Sequence, residues 1–359
     1  MRLRALQRGR FVLLTLTILL LLAAAAAGAG YTWVNEAYHA PGPAETVTRL
    51  EVPPGSSLRA VLTRLESDGA LRNARAVEWY LRMKNLHVRV QSGTYDIPAH
   101  ATPEEILALF AEGKVVLEQL TVVEGATVAD FLDLLATHPR VTHTLRGKGA
   151  ADAMAALGHE GEPAEGEFFP DTYRFAAGTT DVAILQLAYD AMQRELANVW
   201  QARSPGLPFD RPYQALVLAS VVEKEAALKS ERAQIAGVFV ERLRKGMKLQ
   251  SDPTVIYGLG EHYDGSIHSH DLTSDTPYNT YTRAGLPPTP IALPGRESLQ
   301  AAVQPQDNGA LYFVATGLGD GAHHFSRTLE EHNQAVQSYL ARLRSQARSG
   351  TPPATPAHR

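Results

Sequence analysis

The first thirty residues divide into a basic tip and a long apolar run. Phe11–Ala29 carries no charge and would span roughly 28 Å as a helix, about the hydrocarbon thickness of a bilayer. Four arginines precede the run, so the positive-inside rule leaves the N-terminus in the cytoplasm. We expect residues 1–30 to be a single-pass anchor in the cytoplasmic membrane, with the rest of the chain outside, in the periplasm. A cleaved signal peptide is the alternative, because small residues follow the leucine-rich core.

Aromatic and proline residues follow the apolar run. Tyr31, Trp33 and Tyr38 stand where an interfacial aromatic belt would place them. The prolines and glycine between His39 and Glu45 are typical of a short stalk. We therefore predict that residues 31–45 form a linker.

Residues 46–114 alternate between the periods of strands and helices. Thr46–Val52 and Val88–Tyr95 predict strands, Ser56–Leu65 and Ala74–Lys84 predict helices, and Thr102 with Glu105 makes a capping box for a third helix. Strand, helix, helix and strand within about seventy residues predict a small α+β module. Through VPPGSSLRAVLTRLESDGAL it resembles the lysin-motif-like modules of cell-wall proteins.

Residues 115–344 predict a larger mixed α+β domain. We expect a strand at Val115–Val123, helices at Thr127–Leu135 and Thr180–Ala202, and a buried strand at Leu311–Thr316. Tyr213–Ala227 is apolar nearly all round until Glu223, which predicts a buried helix.

The following helix and the end of the chain complete this pattern. Ser230 and Glu231 suit the start of a helix that stops at Gly246, and the chain after Gln250 is rich in loop residues. Residues 345–359 are polar and rich in proline, so we predict a disordered tail. The fold class is therefore α+β, with an N-terminal transmembrane helix, a small module and a larger domain.

Composition and charge exclude several classes of protein. The chain has 45% hydrophobic residues, enough for a sizeable core, and no cysteine, which excludes disulfides, thiolate metal sites and cysteine nucleophiles. Residues 1–30 contribute +4 and the rest of the chain −8 to a net charge of −4. This balance argues against a nucleic-acid partner.

Glu223 is the first candidate for chemistry. It closes the apolar run Ala215–Val222, and a carboxyl in a dry site has a raised pKa and can act as a general acid. Glu225 lies about 200° round the helix and has Lys229 four residues on, so we expect it to form a surface ion pair. A solvated helix end is the equally weighted alternative for Glu223.

The loops after residue 250 carry an amide-rich and aromatic set that suits sugars. Rings stack on the C–H faces of a sugar, and polar side chains meet its hydroxyls. Ordinary turn chemistry is the alternative. The residues are Gln250, Ser251, Asp252, Thr254, Tyr257, Tyr263, Tyr278, Asn279, Tyr281 and Arg283.

Histidine pairs at His268 and His270 and at His323 and His324 offer imidazole ligands. No third patterned ligand accompanies either pair, so loop histidines are the favoured interpretation, and we expect no metal and no organic cofactor.

Several blocks of the sequence, taken in order, resemble the endolytic murein transglycosylase family (MltG, YceG-like). They are EGEFFPDTY (165–173), LASVVEKEA (218–226), SER (230–232), ERLRKGMKLQSDPTVIYGLG (241–260), PYNTYTRAGLPPTPIALPG (277–295) and LYFVAT (311–316). The resemblance covers about residues 46–340. Thr289 departs from it, because the family usually has glycine there.

The resemblance implies a function and a site. Members cut the β-1,4 bond between N-acetylmuramic acid and N-acetylglucosamine in nascent peptidoglycan and leave a 1,6-anhydro end, which would terminate strand elongation. The first glutamate of E-K-E, here Glu223, would be catalytic. The substrate would be bound by Glu165, Gln250, Ser251, Asp252, Thr254, Tyr257, Tyr278, Asn279 and Tyr281.

This implied reaction needs one carboxyl and no cofactor, and its partners are glycan strands, the cytoplasmic membrane and, as an option, peptidoglycan synthases. A non-catalytic glycan-binding scaffold of the cell envelope is the main alternative function, and a two-carboxylate hydrolase is a weaker one.

Overall fold

The computed structural model describes the backbone of residues 2–348 and the side chains of residues 13–346. The chain divides into two compact units. The N-terminal unit comprises residues 1–118 with 176–178, and the C-terminal unit comprises residues 119–175 with 179–359. The chain passes from the first unit to the second close to the predicted boundary between residues 114 and 115.

The N-terminal unit contains four helices and two paired strands within the described residues. They are α1 (Arg2–His39), β1 (Thr48–Val52), α2 (Leu58–Ser67), α3 (Ala74–Met83), β2 (Gly93–Ile97) and α4 (Pro103–Glu112).

Helix α1 is longer than the sequence predicted. From Leu13 it is long and apolar enough to cross a membrane, with a mean hydropathy of 2.2 over its most apolar window. It then continues without a break to His39, so residues 31–39 of the predicted linker are helical. The reason is tertiary, because Val34 and Tyr38 are buried in the core of the N-terminal unit. Tyr38 stacks on Tyr80 of α3 at 3.8 Å between ring centroids, so it is not an interfacial residue.

The core of the N-terminal unit lies between a two-stranded sheet and its helices. Strands β1 and β2 pair antiparallel, with Thr48 opposite Ile97. Their inward side chains, including Leu50 and Tyr95, meet the buried faces of α2, α3 and α4. The predicted strand at 88–95 is displaced, because residues 88–92 are extended without partners in β1 and only Gly93–Ile97 pairs.

Helix α4 begins as predicted. Thr102 accepts a hydrogen bond from the backbone of Glu105, and the Glu105 carboxylate accepts one from the Thr102 backbone, which is the capping box. The helix ends at Gly113, whose φ of 63° is in the left-handed region that favours glycine.

The C-terminal unit contains the remaining elements. They are β3 (Leu117–Thr121), whose first two residues belong to the N-terminal unit, α5 (Val128–Thr137), α6 (Ala150–Ala156), β4 (Thr172–Ala176), α7 (Asp181–Gln201), α8 (Pro212–Glu225), α9 (Arg232–Arg244), α10 (Asp252–Leu259), α11 (Ser269–Thr273), α12 (Arg296–Val303), β5 (Tyr312–Ala315), β6 (His323–Ser326) and α13 (Leu329–Arg348).

Helix α8 is the centre of this unit. Its residues Ala215–Val222 are all buried, as predicted for a helix that is apolar all round. Helices α7, α9, α10 and α12 pack around it. Pro212 at its first turn supplies a φ angle that is already helical, which favours a start at this residue.

Four details differ from the sequence expectations. Glu231 rather than Ser230 precedes α9, after a short 3₁₀ turn. Strand β5 is half-buried rather than fully buried. The predicted loop after Gln250 contains α10, whose first residues Asp252 and Pro253 suit a helix N-terminus. Helix α13 includes residues 345–348 of the predicted tail, and the rest of that tail lies outside the described residues.

Candidate active site

Glu225 is the last residue of α8 and lies beside the start of α10. The Ser251 hydroxyl donates a 2.9 Å hydrogen bond to one Glu225 oxygen. Burial, helped by the nearby Asp252 carboxylate, raises the pKa of Glu225 to about 7, against the opposing effects of the Ser251 hydrogen bond and the Arg242 cation. The expected surface ion pair with Lys229 is wrong, because the Lys229 ammonium lies instead near Glu124 and Glu297.

Glu223, two residues earlier, has entirely different surroundings. Its side chain is 4% exposed, and one oxygen accepts a 2.6 Å hydrogen bond from the Arg232 guanidinium. The other oxygen accepts a hydrogen bond from the backbone N–H of Gly295 at 2.9 Å. Both oxygens are therefore used as acceptors inside the fold.

Arg232 gathers three carboxylates around the end of α8. Its side chain is 7% exposed and contacts Glu223, Glu297 at 2.9 Å and Glu124 at 3.4 Å. Gly295 lies against the same group, where a Cβ would meet a Glu124 oxygen at 2.0 Å. A side chain at position 295 would therefore require Glu124 to move. Through Arg232, this network joins Glu223 of α8 to α9 and to Glu297 of α12.

The segment before α10 is held in place by Thr280. The Gln250 N–H donates to the Thr280 carbonyl at 3.1 Å, and the Ser251 N–H donates to the Thr280 hydroxyl at 3.0 Å. Gln250 has a φ of 54°, in the left-handed region. Thr254 is fully buried and its hydroxyl lies 2.8 Å from that of Thr280. Ser251 thereby meets Glu225 in one fixed position.

Tyr281 and Asp252 form a polar rim beside Glu225. The Tyr281 hydroxyl donates to an Asp252 oxygen at 2.6 Å. Burial raises the pKa of Tyr281, so the phenol stays a donor at neutral pH. Arg242 lies behind this rim and donates to the carbonyls of Leu249 and Leu311 at 2.6 and 2.7 Å.

A second group connects Glu165 to the tyrosines. One Glu165 oxygen accepts from the N–H of Val128, at the start of α5, and the other from the Tyr257 hydroxyl at 3.2 Å. Burial raises the pKa of Glu165 to about 7. Tyr257 meets Tyr278 edge-on at 4.9 Å, and the Tyr278 hydroxyl lies 2.8 Å from that of Thr289. The threonine that departs from the family sequence thus has a partner.

The predicted site residues differ in their exposure and in their internal hydrogen bonds. Gln250 and Asp252 are exposed, and Tyr257, Tyr278 and Tyr281 are half-buried. Asn279 is buried, and its amide donates to the carbonyls of Asp271 and Ser274, so it shapes the loop. Ser251 and Thr254 are also buried in internal hydrogen bonds. The further predicted loop residue Arg283 forms an exposed ion pair with Asp275.

The histidine pairs have different surroundings. His268 and His270 come together with Asp271, with ligand atoms within 4.8 Å of one another, but both rings are at least half exposed and each already contacts the Asp271 carboxylate. His323 donates from its backbone to Glu231, whose carboxylate also lies 2.7 Å from the ring. Both arrangements are satisfied by side-chain pairs.

Sequence reasoning missed Arg232 and Glu167, and it gave Glu225 a surface position. Glu225 follows the buried residues Leu218 and Val221 at helical spacing. It therefore lies on a face of α8 that is directed into the fold. Glu167 is buried beside Gln193, which donates to it at 2.7 Å, and burial raises its pKa to about 7. The SER block contains Arg232, but nothing local shows that its guanidinium is buried.

The fold and site define an α+β protein in which a carboxyl of raised pKa, Glu225, lies beside a rim of hydroxyl and tyrosine side chains. Residues 50–338 match the YceG-like family, and the chain belongs to that family.

Curated relatives carry a functional name. The chain is 29% identical over 317 residues to an endolytic murein transglycosylase of Bacillus subtilis (strain 168), covering 83% of this chain and 86% of that protein. It is 26% identical to an endolytic murein transglycosylase of Streptococcus pneumoniae serotype 2, covering 80% of this chain and 58% of that protein. A crystal structure of a putative YceG-like protein from Listeria monocytogenes is 30% identical, with a TM-score of 0.46, covering 81% of this chain and 99% of that one.

Proposed function

We propose that this protein is an endolytic murein transglycosylase, a lyase that cuts the β-1,4 bond between N-acetylmuramic acid and N-acetylglucosamine. The observation that carries the proposal is the half-buried Glu225 carboxyl, whose pKa of about 7 leaves a proton available at neutral pH. The names of the curated relatives support the substrate class.

The mechanism uses one carboxyl twice. Protonated Glu225 donates to the glycosidic oxygen, and the bond from that oxygen to C1 of the muramic acid breaks through an oxocarbenium-like state. The 6-hydroxyl oxygen of the same sugar then bonds to C1, and its proton passes to the Glu225 carboxylate. The products are a 1,6-anhydro end and a free 4-hydroxyl, and no water is consumed.

Glu225 suits this role better than Glu223, to which the family resemblance assigned it. A general acid must point an oxygen with a proton at the substrate. The two Glu223 oxygens accept hydrogen bonds from Arg232 and Gly295. Glu225 has one oxygen on Ser251, and its other oxygen has no hydrogen-bond partner among the described residues. We therefore assign Glu223 to holding the end of α8.

The loops beside Glu225 have the chemistry of a sugar site. Asp252, Gln250 and Tyr281 offer acceptors and donors to hydroxyls, and the half-buried rings of Tyr257 and Tyr278 offer apolar faces. Glu165 fixes Tyr257 through its hydroxyl. Asn279 and Thr254 contribute by shaping these loops rather than by contacting the glycan.

The N-terminal unit completes the proposal. Its strand–helix–helix–strand order is that of the predicted lysin-motif-like module, for which we propose a role in positioning glycan. Helix α1 would anchor the protein in the cytoplasmic membrane with its N-terminus inside. Cleavage outside the membrane would act on nascent strands and end their elongation, with synthases as candidate partners.

The deciding experiment compares two isosteric variants in purified full-length protein. Glu225→Gln can neither donate nor recover a carboxylic proton, so we expect anhydro-ended products to fall by about 10²–10⁴-fold while the fold is kept. Glu223→Gln should retain the chemistry at permissive temperature but lower the melting temperature. Glu261→Gln, an exposed carboxyl, is the matched surface control. The readout is mass spectrometry of uncrosslinked glycan, with thermal melts alongside.

Each other outcome has a definite meaning. Loss of cleavage in a folded Glu223→Gln protein, with activity kept in Glu225→Gln, would return the catalytic role to Glu223. Reducing ends in place of anhydro ends would indicate a hydrolase. Binding of glycan without cleavage in the unmodified protein would support the scaffold alternative.

A further inference from the structure

Exposed apolar side chains occur on α1 just after the apolar run and at the C-terminal end of α3. Trp33 on α1 is 53% exposed, and Trp79, Met83 and Leu86, on and just after α3, are 65%, 48% and 47% exposed. Trp79 and Met83 are four residues apart and share one face of α3. We call these four residues the apolar patch.

Two ring contacts show which residues of α3 lie beside which residues of α1. Tyr80 stacks on Tyr38, and the ammonium of Lys84 lies 5.8 Å from the ring of Tyr31. Helix α3 therefore runs antiparallel to α1, and its C-terminal end lies nearest the apolar run. About twenty residues from Leu13 cross the hydrocarbon layer, which brings Tyr31 and Trp33 to its outer edge. The end of α3 lies at the same level.

The segment that continues from α3 has the composition of a membrane surface. Asn85 has a φ of 53°, and this left-handed residue ends the helix and leads to Leu86. Residues 79–95 contain Arg82, Lys84 and Arg89 and no acidic residue. Apolar side chains mixed with cations suit the boundary of acyl chains and anionic headgroups.

We propose that the apolar patch, with Lys84 and Arg89 just after α3, lies in the headgroup region of the bilayer that α1 crosses. This inference rests on the proposed membrane anchorage and adds a second contact, made by a folded surface. The occupant is lipid because the contact between Lys84 and Tyr31 places the end of α3 beside the outer end of the apolar run. The N-terminal unit is then held against the membrane at two points.

Tryptophan quenching by lipids brominated near the headgroup tests this proposal. The chain has three tryptophans, Trp33, Trp79 and Trp200, so replacing all three by Phe gives a silent background for reconstituted full-length protein. Into it we place Trp33 alone, Leu86→Trp alone, or Val47→Trp alone. Val47 is 61% exposed and lies near the His39 end of α1, because Ala44 and Gly42 there bond to His100 and Ala101. It is the matched control.

We expect tryptophan at 86 to be quenched as strongly as Trp33, and tryptophan at 47 to be unquenched. Equal, low quenching at 86 and 47 with strong quenching of Trp33 would overturn the docking and leave the anchorage intact. No quenching of Trp33 would instead reject the anchorage. Protection of position 86 that grows with the protein-to-lipid ratio would show that a second copy covers the patch, and would also overturn the proposal.

A charge test separates headgroup attraction from simple apolar contact. In vesicles of phosphatidylcholine with added phosphatidylglycerol, Lys84→Gln with Arg89→Gln should reduce the quenching at position 86. The paired change Arg59→Gln with Arg64→Gln on α2, both 69% exposed, should leave it unchanged. An equal loss of quenching with the two pairs of substitutions would contradict a contact made specifically by Lys84 and Arg89.

Discussion

Two glutamates separated by one residue illustrate how surroundings decide chemistry. Glu223 is an acceptor for a guanidinium and a backbone N–H, and its free energy of burial is offset by those contacts. Glu225 has one hydroxyl partner and a raised pKa of about 7. The same type of side chain is a structural acceptor at position 223 and, in the proposed mechanism, a proton donor at position 225.

The pKa of Glu225 predicts a pH dependence of cleavage. The acid must carry its proton to act, so activity should fall as pH rises through about 7, approaching tenfold per unit well above it. The measurement is the rate of anhydro-end formation between pH 5 and 9. Glu223→Gln should keep this alkaline limb. A rate that stays flat across this range would contradict Glu225 as the general acid.

The sequence could place the carboxyl that we propose as the general acid only to within two residues. Helix α8 is apolar on every face, so its pattern identifies the helix and its burial but does not favour one glutamate. The distinction comes from Arg232 and Ser251, which approach from other elements. Such contacts depend on tertiary packing and leave no local periodic signal.

At the scale of elements, the Glu223–Arg232 network joins three helices. Arg232→Gln would leave the buried Glu223 carboxylate without its cation, so we expect a loss of about 3–5 kcal/mol in the free energy of unfolding. Arg296→Gln breaks an ion pair whose arginine is 63% exposed and should cost at most about 1 kcal/mol. Chemical denaturation of both variants provides the test. Similar losses would show that burial of the network contributes nothing.

Most helices were predicted because their signals are local. Helix α7 and the capping box of α4 match the sequence expectation to within a residue. The errors occur where a distant partner decides. Strand β2 is set by its register with β1, and the last turns of α1 are set by Tyr80 of α3.

At the scale of the whole molecule, α1 belongs to two environments. A chain that begins at Gly30 keeps Val34 and Tyr38 in the core, whereas a chain that begins at Pro41 loses both. Removing a buried aromatic side chain costs about 3–5 kcal/mol, so the shorter chain should have a much less stable N-terminal unit. Hydrogen exchange of the α3 amides measures this difference. Equal protection in the two chains would show that residues 31–40 act only as a tether.

In the proposed membrane anchorage, the unbroken course of α1 would make the protein sensitive to bilayer thickness. A flexible tether would absorb a difference between the length of the apolar run and the thickness of the lipid. A continuous helix, which rises 1.5 Å per residue, would instead transmit that difference to the folded unit. In a thicker membrane the unit must sink, the helix must become more upright or the lipid must thin locally, each at a cost in free energy. Four leucines inserted into the apolar run would lift the unit by about 6 Å. The length of that run therefore sets the height at which this protein works.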